Sequence, residues 1–91
     1  MDLKITDYNN FYSLKGHLNR ENVHRFQKKF RHIFDKVNAI TLSVEGIESM
    51  DRYGLNAIVA LHKESITKNK SLAIIGVGCK ELYDHFHSEA A

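Results

Sequence analysis

The residues best placed to do chemistry form a short polar stretch at a predicted strand-to-helix junction. The stretch runs from Met50 to Gly54 and reads M-D-R-Y-G. The carboxylate of Asp51 can accept hydrogen bonds from the free N–H groups at a helix N-terminus, and Gly54 permits a tight turn. Functional sites of α/β folds often lie at such junctions. The residue types alone predict a capped helix start and leave open a docking role for the surrounding side chains.

The other reactive residue types lack the spacing of a recognised site. The chain has six histidines but no H-E-x-x-H or comparable metal-ligand spacing. Ser49 precedes Asp51 without a G-x-S-x-G elbow, and Cys79 has no activating partner in sequence. The G-V-G sequence that starts at Gly76 lacks the third glycine of a dinucleotide motif. We therefore predict that the protein is not an enzyme and that it has neither a metal site nor a cofactor.

Length and composition predict one domain over residues 1–91, with a frayed tail at 88–91. The 91 residues are 43% hydrophobic and 26% charged, as in ordinary globular proteins. The net charge of +2 is too close to zero to indicate nucleic-acid binding. A single cysteine excludes an intrachain disulfide and favours a cytoplasmic setting. We recognise no signal peptide, and no apolar run approaches the ~20 residues that cross a bilayer, so we expect no direct membrane insertion.

The N-terminal part predicts a β-hairpin followed by a helix. Leu3–Tyr8 and Phe11–Leu18 alternate apolar and polar residues, and the two asparagines between them suit a tight turn. Apolar residues recur at intervals of three and four over Val23–Val37, which predicts one amphipathic helix capped by Asn19 or Asn22. The opposite face of this helix is basic. We interpret it as solvated, because its phenylalanines lie on the apolar stripe instead of forming a stacking surface for nucleic acid.

The rest of the chain predicts parallel βαβ units. Ala39–Val44 and Ser71–Val77 are short, apolar and rich in β-branched residues, which is typical of buried strands. Leu55–Asn69 between them has helical periodicity, and Glu64 and Lys68 are spaced for an ion pair. The predicted apolar side of this helix consists of Leu55, Ile58, Val59, His62 and Ile66.

The strand–helix–strand order gives a parallel pair with a right-handed crossover. A short last helix is predicted from Lys80 to about His87. The expected fold is therefore α/β: a mixed sheet of about four strands, opened by the hairpin and completed by parallel βαβ units, with the helices mainly on one face.

Three segments of the chain together resemble the STAS domain. They are L-K-G-H-L-N at Leu14–Asn19, the apolar strand Ile40–Val44, and I-E-S-M-D-R-Y-G-L at Ile47–Leu55. The L-A-I-I-G-V strand and the E-L-Y-D-H-F helix fit the same template, so the resemblance extends over about Leu3–Phe86. STAS domains are the small domains of bacterial anti-sigma factor antagonists, and they are also appended to anion transporters.

The resemblance implies a non-catalytic protein–protein interaction module that regulates transcription. In antagonists of this family, the residue after the aspartate is a serine that the partner kinase, itself an anti-sigma factor, phosphorylates. Arg52 occupies that position here and has no hydroxyl group, so we predict that phosphorylation does not switch binding there. Asn19 stands where antagonists commonly have aspartate. The expected partner is an anti-sigma factor or kinase-like protein, or another STAS-associated protein.

The charge of Arg52 leaves two interpretations open. A fixed positive charge is mildly unfavourable at a helix N-terminus, whereas a guanidinium group suits the recognition of a carboxylate or phosphate. The arginine is therefore either retained for a partner or a drifted, solvated residue. Phosphorylation of Ser49, Ser43 or Tyr53 also stays open. The predicted partner-binding residues are Asn19, Ser49, Met50, Asp51, Arg52, Tyr53, Gly54 and Asn56.

Two other roles are compatible with the resemblance. One is a structural or regulatory subunit of a transport complex, which a neighbouring transporter ATPase gene would favour. The other is the sensing of a nucleotide or small ligand, which binding of GTP, ATP or anions would favour. The sequence specifies neither the partner nor the oligomeric state.

Overall fold

A computed structural model describes residues 3–76 of the chain. The elements in this part, in chain order, are β1 (Leu3–Tyr8), β2 (Phe11–Leu18), α1 (Val23–Phe30), α2 (Ile33–Lys36), β3 (Ala39–Met50), α3 (Arg52–Thr67) and β4 (Ser71–Ile75). The predicted last helix, Cys79, most of the G-V-G sequence and the predicted tail lie outside the described residues.

The sheet has the strand order β1-β2-β3-β4. β1 and β2 are antiparallel, whereas β2–β3 and β3–β4 are parallel pairs. Asn9 and Asn10 connect the first two strands with φ angles of 48° and 66°. Two consecutive residues in the left-handed region are typical of the tight turn that matches the twist of a hairpin. The mixed four-stranded α/β sheet and its N-terminal hairpin confirm the predicted fold.

One face of the sheet forms the core. Tyr12, Leu42 and Ile74 are register partners across β2, β3 and β4, so their side chains share a face. Phe26 and Phe30 of α1 cover this face, with the Phe30 ring 4.9 Å from that of Tyr12 and 4.7 Å from that of Phe26, measured between ring centroids. These tilted aromatic contacts anchor the helical layer on the sheet.

The predicted strand Ala39–Val44 is too short, since β3 continues to Met50. The β2–β3 register shifts at two places, between Ser13 and Lys15 and between Gly16 and His17 of β2. The buried residues of β3 after Val44 are Ile47 and Met50, which are three apart. These irregularities interrupt the alternation of a regular strand, so a search for period-two patterning ends the strand early.

The prediction of one continuous helix over Val23–Val37 is wrong. α1 ends at Phe30, Arg31 is extended, and His32 adopts a left-handed φ of 61° before α2 begins. The predicted apolar stripe is confirmed, because residues on both sides of the break are buried. Neither glycine nor proline marks the break, so the sequence carries no standard signal for it.

α3 begins at Arg52, three residues earlier than predicted, and its buried face agrees with the predicted apolar side at Ile58 and Val59 but not at Ile66. Ala57 and Leu61 are buried, whereas Ile66 is 63% exposed. The predicted ion pair is present, with 3.1 Å between Lys68 Nζ and Glu64 Oε2. The change in face follows from the packing at the start of the helix, described below.

β4 is not the buried strand that its composition suggests. It lies at the edge of the described sheet and alternates exposed and half-buried residues. Ile75 is 40% exposed. An apolar, β-branched composition predicts a strand but does not distinguish a central strand from an edge strand.

Candidate functional site

The two parallel strands β2 and β3 end at the same edge of the sheet. The register pairs Leu18 with Met50, the last residue of each strand. The loop after β2 and the start of α3 after β3 are therefore adjacent. The N–H of Asp51 donates to the carbonyl oxygen of Leu18 at 3.2 Å and extends the ladder by one bond.

A register shift between Gly16 and His17 adjusts the side chains before this edge. Gly16 has a φ of 98°, which lies in a region that favours glycine. After the shift, His17 faces Ser49, and the His17 Nδ1 and Ser49 Oγ atoms share a hydrogen bond. Ser49 is exposed, and this hydrogen-bonded pair lies next to the strand ends that border the site.

Asp51 joins the two segments through both of its carboxylate oxygens. Oδ1 accepts a hydrogen bond from the N–H of Gly54 at 3.0 Å, which caps α3. Oδ2 accepts one from the N–H of Arg20 at 2.9 Å, which holds the loop after β2. The predicted capping role of Asp51 is confirmed, and the second bond makes the same side chain a link between the loop and the helix.

These bonds also set the ionisation of Asp51. Desolvation raises the pKa of the carboxyl group, but hydrogen bonds from the N–H groups of Gly54, Arg20 and Tyr53 lower it. The lowering outweighs the desolvation, so the pKa of Asp51 lies below the ordinary value of 3.8. Hydrogen bonds to the charged form account for this direction, and Asp51 is a fixed anion at neutral pH.

Gly54 serves close packing and not the tight turn predicted for it, since it lies inside α3. A Cβ atom at this position would lie 2.6 Å from the carbonyl oxygen of Leu18 and 2.9 Å from Cγ of Met50. Only glycine lets the helix approach the ends of both strands this closely. The approach turns the face that contains Gly54 and Ile58 toward the sheet, which accounts for the exposure of Ile66.

The loop after β2 is folded by two asparagines. Asn19 Oδ1 accepts hydrogen bonds from the N–H groups of Glu21 and Asn22, while Asn22 Oδ1 accepts one from the N–H of Asn19. Asn22 also donates from Nδ2 to the carbonyl oxygen of His17 at 2.9 Å. Asn22 occupies the N-cap position of α1, but its side chain makes no capping bond. The predicted side-chain cap is therefore wrong: the asparagines shape the loop.

This loop places Arg20 over Tyr53. The Cζ atom of Arg20 lies 5.7 Å from the centre of the Tyr53 ring, within the range of a cation–π contact. Tyr53 remains 47% exposed, and Arg20, Arg52 and Asn56 are exposed as well. The surface around Asp51 thus presents two guanidinium groups, an aromatic ring and an amide.

Some of the predicted site residues lie on the surface, and the others lie beneath it. Ser49, Asp51, Arg52, Tyr53 and Asn56 are exposed. Met50, Gly54 and most of Asn19 lie beneath them and shape the surface from inside.

Sequence reasoning did not single out Arg20 or His17. Arg20 lies in the loop before α1, outside the elements that the sequence predicts. The signal that could have found both residues is the parallel pairing, because the ends of parallel strands meet at one edge.

Within residues 3–76, no group of three or more His, Cys, Asp or Glu side chains is arranged to hold a metal ion. The helices of this part are too short or too polar to cross a bilayer.

The family model of the STAS domain matches residues 1–87 of the chain. No curated protein matches it. Among solved structures, the fold is similar to that of an anti-sigma factor antagonist from Mycobacterium paratuberculosis, with a TM-score of 0.71 and 11% identity over 98% of this chain and 80% of that one. It is also similar to the anti-sigma factor antagonist SpoIIAA in its unphosphorylated form, with a TM-score of 0.63 and 17% identity over 80% of this chain and 71% of that one.

Proposed function

This chain belongs to the STAS domain family, and we propose that it is a non-catalytic module that binds another protein through the surface around Asp51. We define the docking surface as the exposed residues Arg20, Ser49, Arg52, Tyr53 and Asn56. Similarity to anti-sigma factor antagonists makes an anti-sigma factor or kinase-like protein the expected class of partner.

The observation that carries this proposal is the combination of rigid support and exposed side chains. Asp51 binds the loop and the helix through one hydrogen bond each, and Gly54 presses the helix onto the strand ends. Interfaces gain affinity when the contact residues are already held in place, because less conformational entropy is lost on binding. Tyrosine and arginine are also the residue types that most often dominate binding energy.

The docking surface also supports binding without a phosphoserine switch at position 52. Arg52 is the first residue of α3 and is exposed. A phosphoserine there would bring about −1.5 to −2 charges to the helix start, whereas arginine keeps a permanent positive charge. We therefore expect the affinity for the partner to be the same before and after phosphatase treatment of the chain.

Affinity capture from the native lysate, followed by mass spectrometry, tests the proposal. Asn56→Trp adds bulk in the docking surface without adding charge, and we expect it to lower the affinity for the captured partner about tenfold or more, as at an interface hot spot. Thr67→Trp is the matched control, since Thr67 is exposed at the far end of the same helix. It should bind as the unmodified chain does.

Two results would contradict the proposal. The first is a partner that Asn56→Trp and Thr67→Trp bind equally well. The second is that the unmodified chain retains no protein from the lysate.

A further inference from the structure

We propose that the docking surface recognises an acidic segment of its partner, with Arg20 and Arg52 as the contacts that pair with carboxylates. This inference rests on the proposed function and assigns a chemistry to the partner. It is carried by the position of Arg20, which the hydrogen bond to Asp51 and the contact with Tyr53 bring to the start of α3.

Arg20 is held in place along both its backbone and its side chain. Its N–H donates to Asp51 Oδ2 at 2.9 Å, and its guanidinium group lies over the ring of Tyr53 at 5.7 Å. An arginine on an aromatic ring keeps the edges of its guanidinium plane free for hydrogen bonding. Because the side chain is partly ordered before binding, less entropy is lost when a carboxylate engages it.

The carboxylate of Asp51, which precedes Arg52 and binds the N–H of Arg20, is occupied by backbone groups. Both oxygens of Asp51 accept hydrogen bonds from N–H groups, those of Gly54 and Arg20. In the described part of the chain, neither Arg20 nor Arg52 forms an ion pair. The two guanidinium groups therefore retain their full capacity for an external anion.

Two exposed carboxylates lie nearby in sequence, Glu21 beside Arg20 and Glu48 in β3. Neither pairs with Arg20 or Arg52 within residues 3–76. Their negative charges disfavour a highly charged anion more than a single carboxylate, because repulsion grows with the charge of the ligand. A protein segment with glutamate or aspartate at defined positions fits this arrangement.

The residue types support a protein carboxylate as the ligand. Arginine forms two parallel hydrogen bonds with a carboxylate, and arginine and tyrosine are enriched in the centres of protein interfaces. The exposed ring of Tyr53 adds apolar area next to the charges. The surface thus combines a charge contact that gives orientation with a ring that gives contact area.

A peptide titration tests the charge preference on the full chain. The probe is a ten-residue peptide of alternating glutamate and glycine, and the same peptide with glutamine is the neutral comparison. We expect the glutamate peptide to shift the amide signals of Arg20, Arg52 and Tyr53 most strongly in NMR spectra. The double variant Arg20→Glu/Arg52→Glu should abolish these shifts.

Lys28→Glu/Arg31→Glu is the matched control, because both side chains are exposed at the opposite end of α1 and the double variant has the same change in net charge. It should leave the shifts unchanged. Equal shifts with the glutamine peptide, the absence of localised shifts, or shifts centred on the basic face of α1 would overturn the inference.

A second measurement separates this inference from the proposed function. We expect Arg20→Glu/Arg52→Glu to weaken binding of the captured partner about tenfold or more, and added salt to weaken binding of the unmodified chain. If Asn56→Trp abolishes binding while the arginine variants bind normally, the docking surface stands and the acidic partner is wrong. If none of these variants changes binding, both proposals fail.

Discussion

Asp51 and Asp35 are two carboxylates at helix starts, and their negative charges are stabilised by different groups. Asp51 precedes α3 and binds backbone N–H groups of Gly54 and Arg20. Asp35 lies in the first turn of α2 and binds side chains, with 3.1 Å from Oδ1 to Lys68 Nζ and 3.2 Å from Oδ2 to His32 Nδ1. Both pKa values lie below the ordinary value of 3.8.

The two regions differ in the cationic side chains that they leave unpaired. Asp35 uses a cationic side chain for its stabilisation, so the charge of Lys68 is already paired. Asp51 uses backbone groups and leaves Arg20 and Arg52 without ion pairs in the described part of the chain. A cap made with backbone groups thus stabilises the fold without forming ion pairs with the arginine side chains.

We expect the largest loss of stability from a substitution of Gly54, which lets the helix capped by Asp51 reach the strand ends. Gly54→Val places atoms where the carbonyl oxygen of Leu18 already lies, 2.6 Å from an added Cβ. We expect the free energy of unfolding to fall by about 3 kcal/mol, the upper part of the usual range for overpacking. Chemical denaturation of the variant measures it.

Asn56→Val is the control for this prediction, because Asn56 is exposed in the same region of α3 and has a helix propensity close to that of valine. Its free energy of unfolding should change by less than about 0.5 kcal/mol. Equal changes in the two variants would show that the helix start does not depend on the close approach.

The sequence predicted the parts of this site that depend on local chemistry. Asp51 is identifiable as a cap from its residue type and its position before a helical pattern, and the hairpin is identifiable from its two asparagines. The edge where β2 and β3 end follows from the strand–helix–strand order, so the neighbourhood of Asn19 and Asp51 could also be anticipated.

The parts that the sequence did not predict depend on contacts between distant segments. The break at His32 lacks a glycine or proline, and the end of β3 is hidden by register shifts that disturb the alternation. The second bond of Asp51 and the contact between Arg20 and Tyr53 join residues about thirty positions apart. No local pattern reports such pairs.

An intermediate effect is expected when Asp51 is truncated. Asp51→Ala removes both the cap of α3 and the bond to the N–H of Arg20, and we expect the free energy of unfolding to fall by about 1–2 kcal/mol. The amide of Arg20 should also exchange faster with solvent, since its acceptor is lost. Denaturant unfolding and hydrogen exchange measure the two effects.

Asp35→Ala is the control within the comparison, because it removes a carboxylate from the other helix start. In the described part of the chain, the ion-pair partners of Asp35 are exposed side chains, and exposed ion pairs contribute little to stability. A loss of stability in Asp35→Ala as large as that in Asp51→Ala would contradict the distinction between the two sites.

The smallest effect, and the sharpest test of the comparison, is the dependence of the two carboxylates on pH and salt. A lowered pKa means that a carboxylate stabilises the fold fully above its ordinary value of 3.8 and loses this contribution as the pH falls through its lower folded-state value. The stability difference between the unmodified chain and Asp51→Asn, or Asp35→Asn, should therefore shrink below pH 3.8. Unfolding experiments across this range measure both differences.

Salt should separate the two aspartates at neutral pH. In 1 M NaCl the screening length falls to about 3 Å, which weakens exposed ion pairs far more than hydrogen bonds to fixed backbone groups. The effect of Asp35→Asn should then disappear, while most of the effect of Asp51→Asn should remain. If salt removes both effects equally, the charge of Asp51 is held by its surroundings no more firmly than that of Asp35, and its arginines are no better placed for a partner than Lys68.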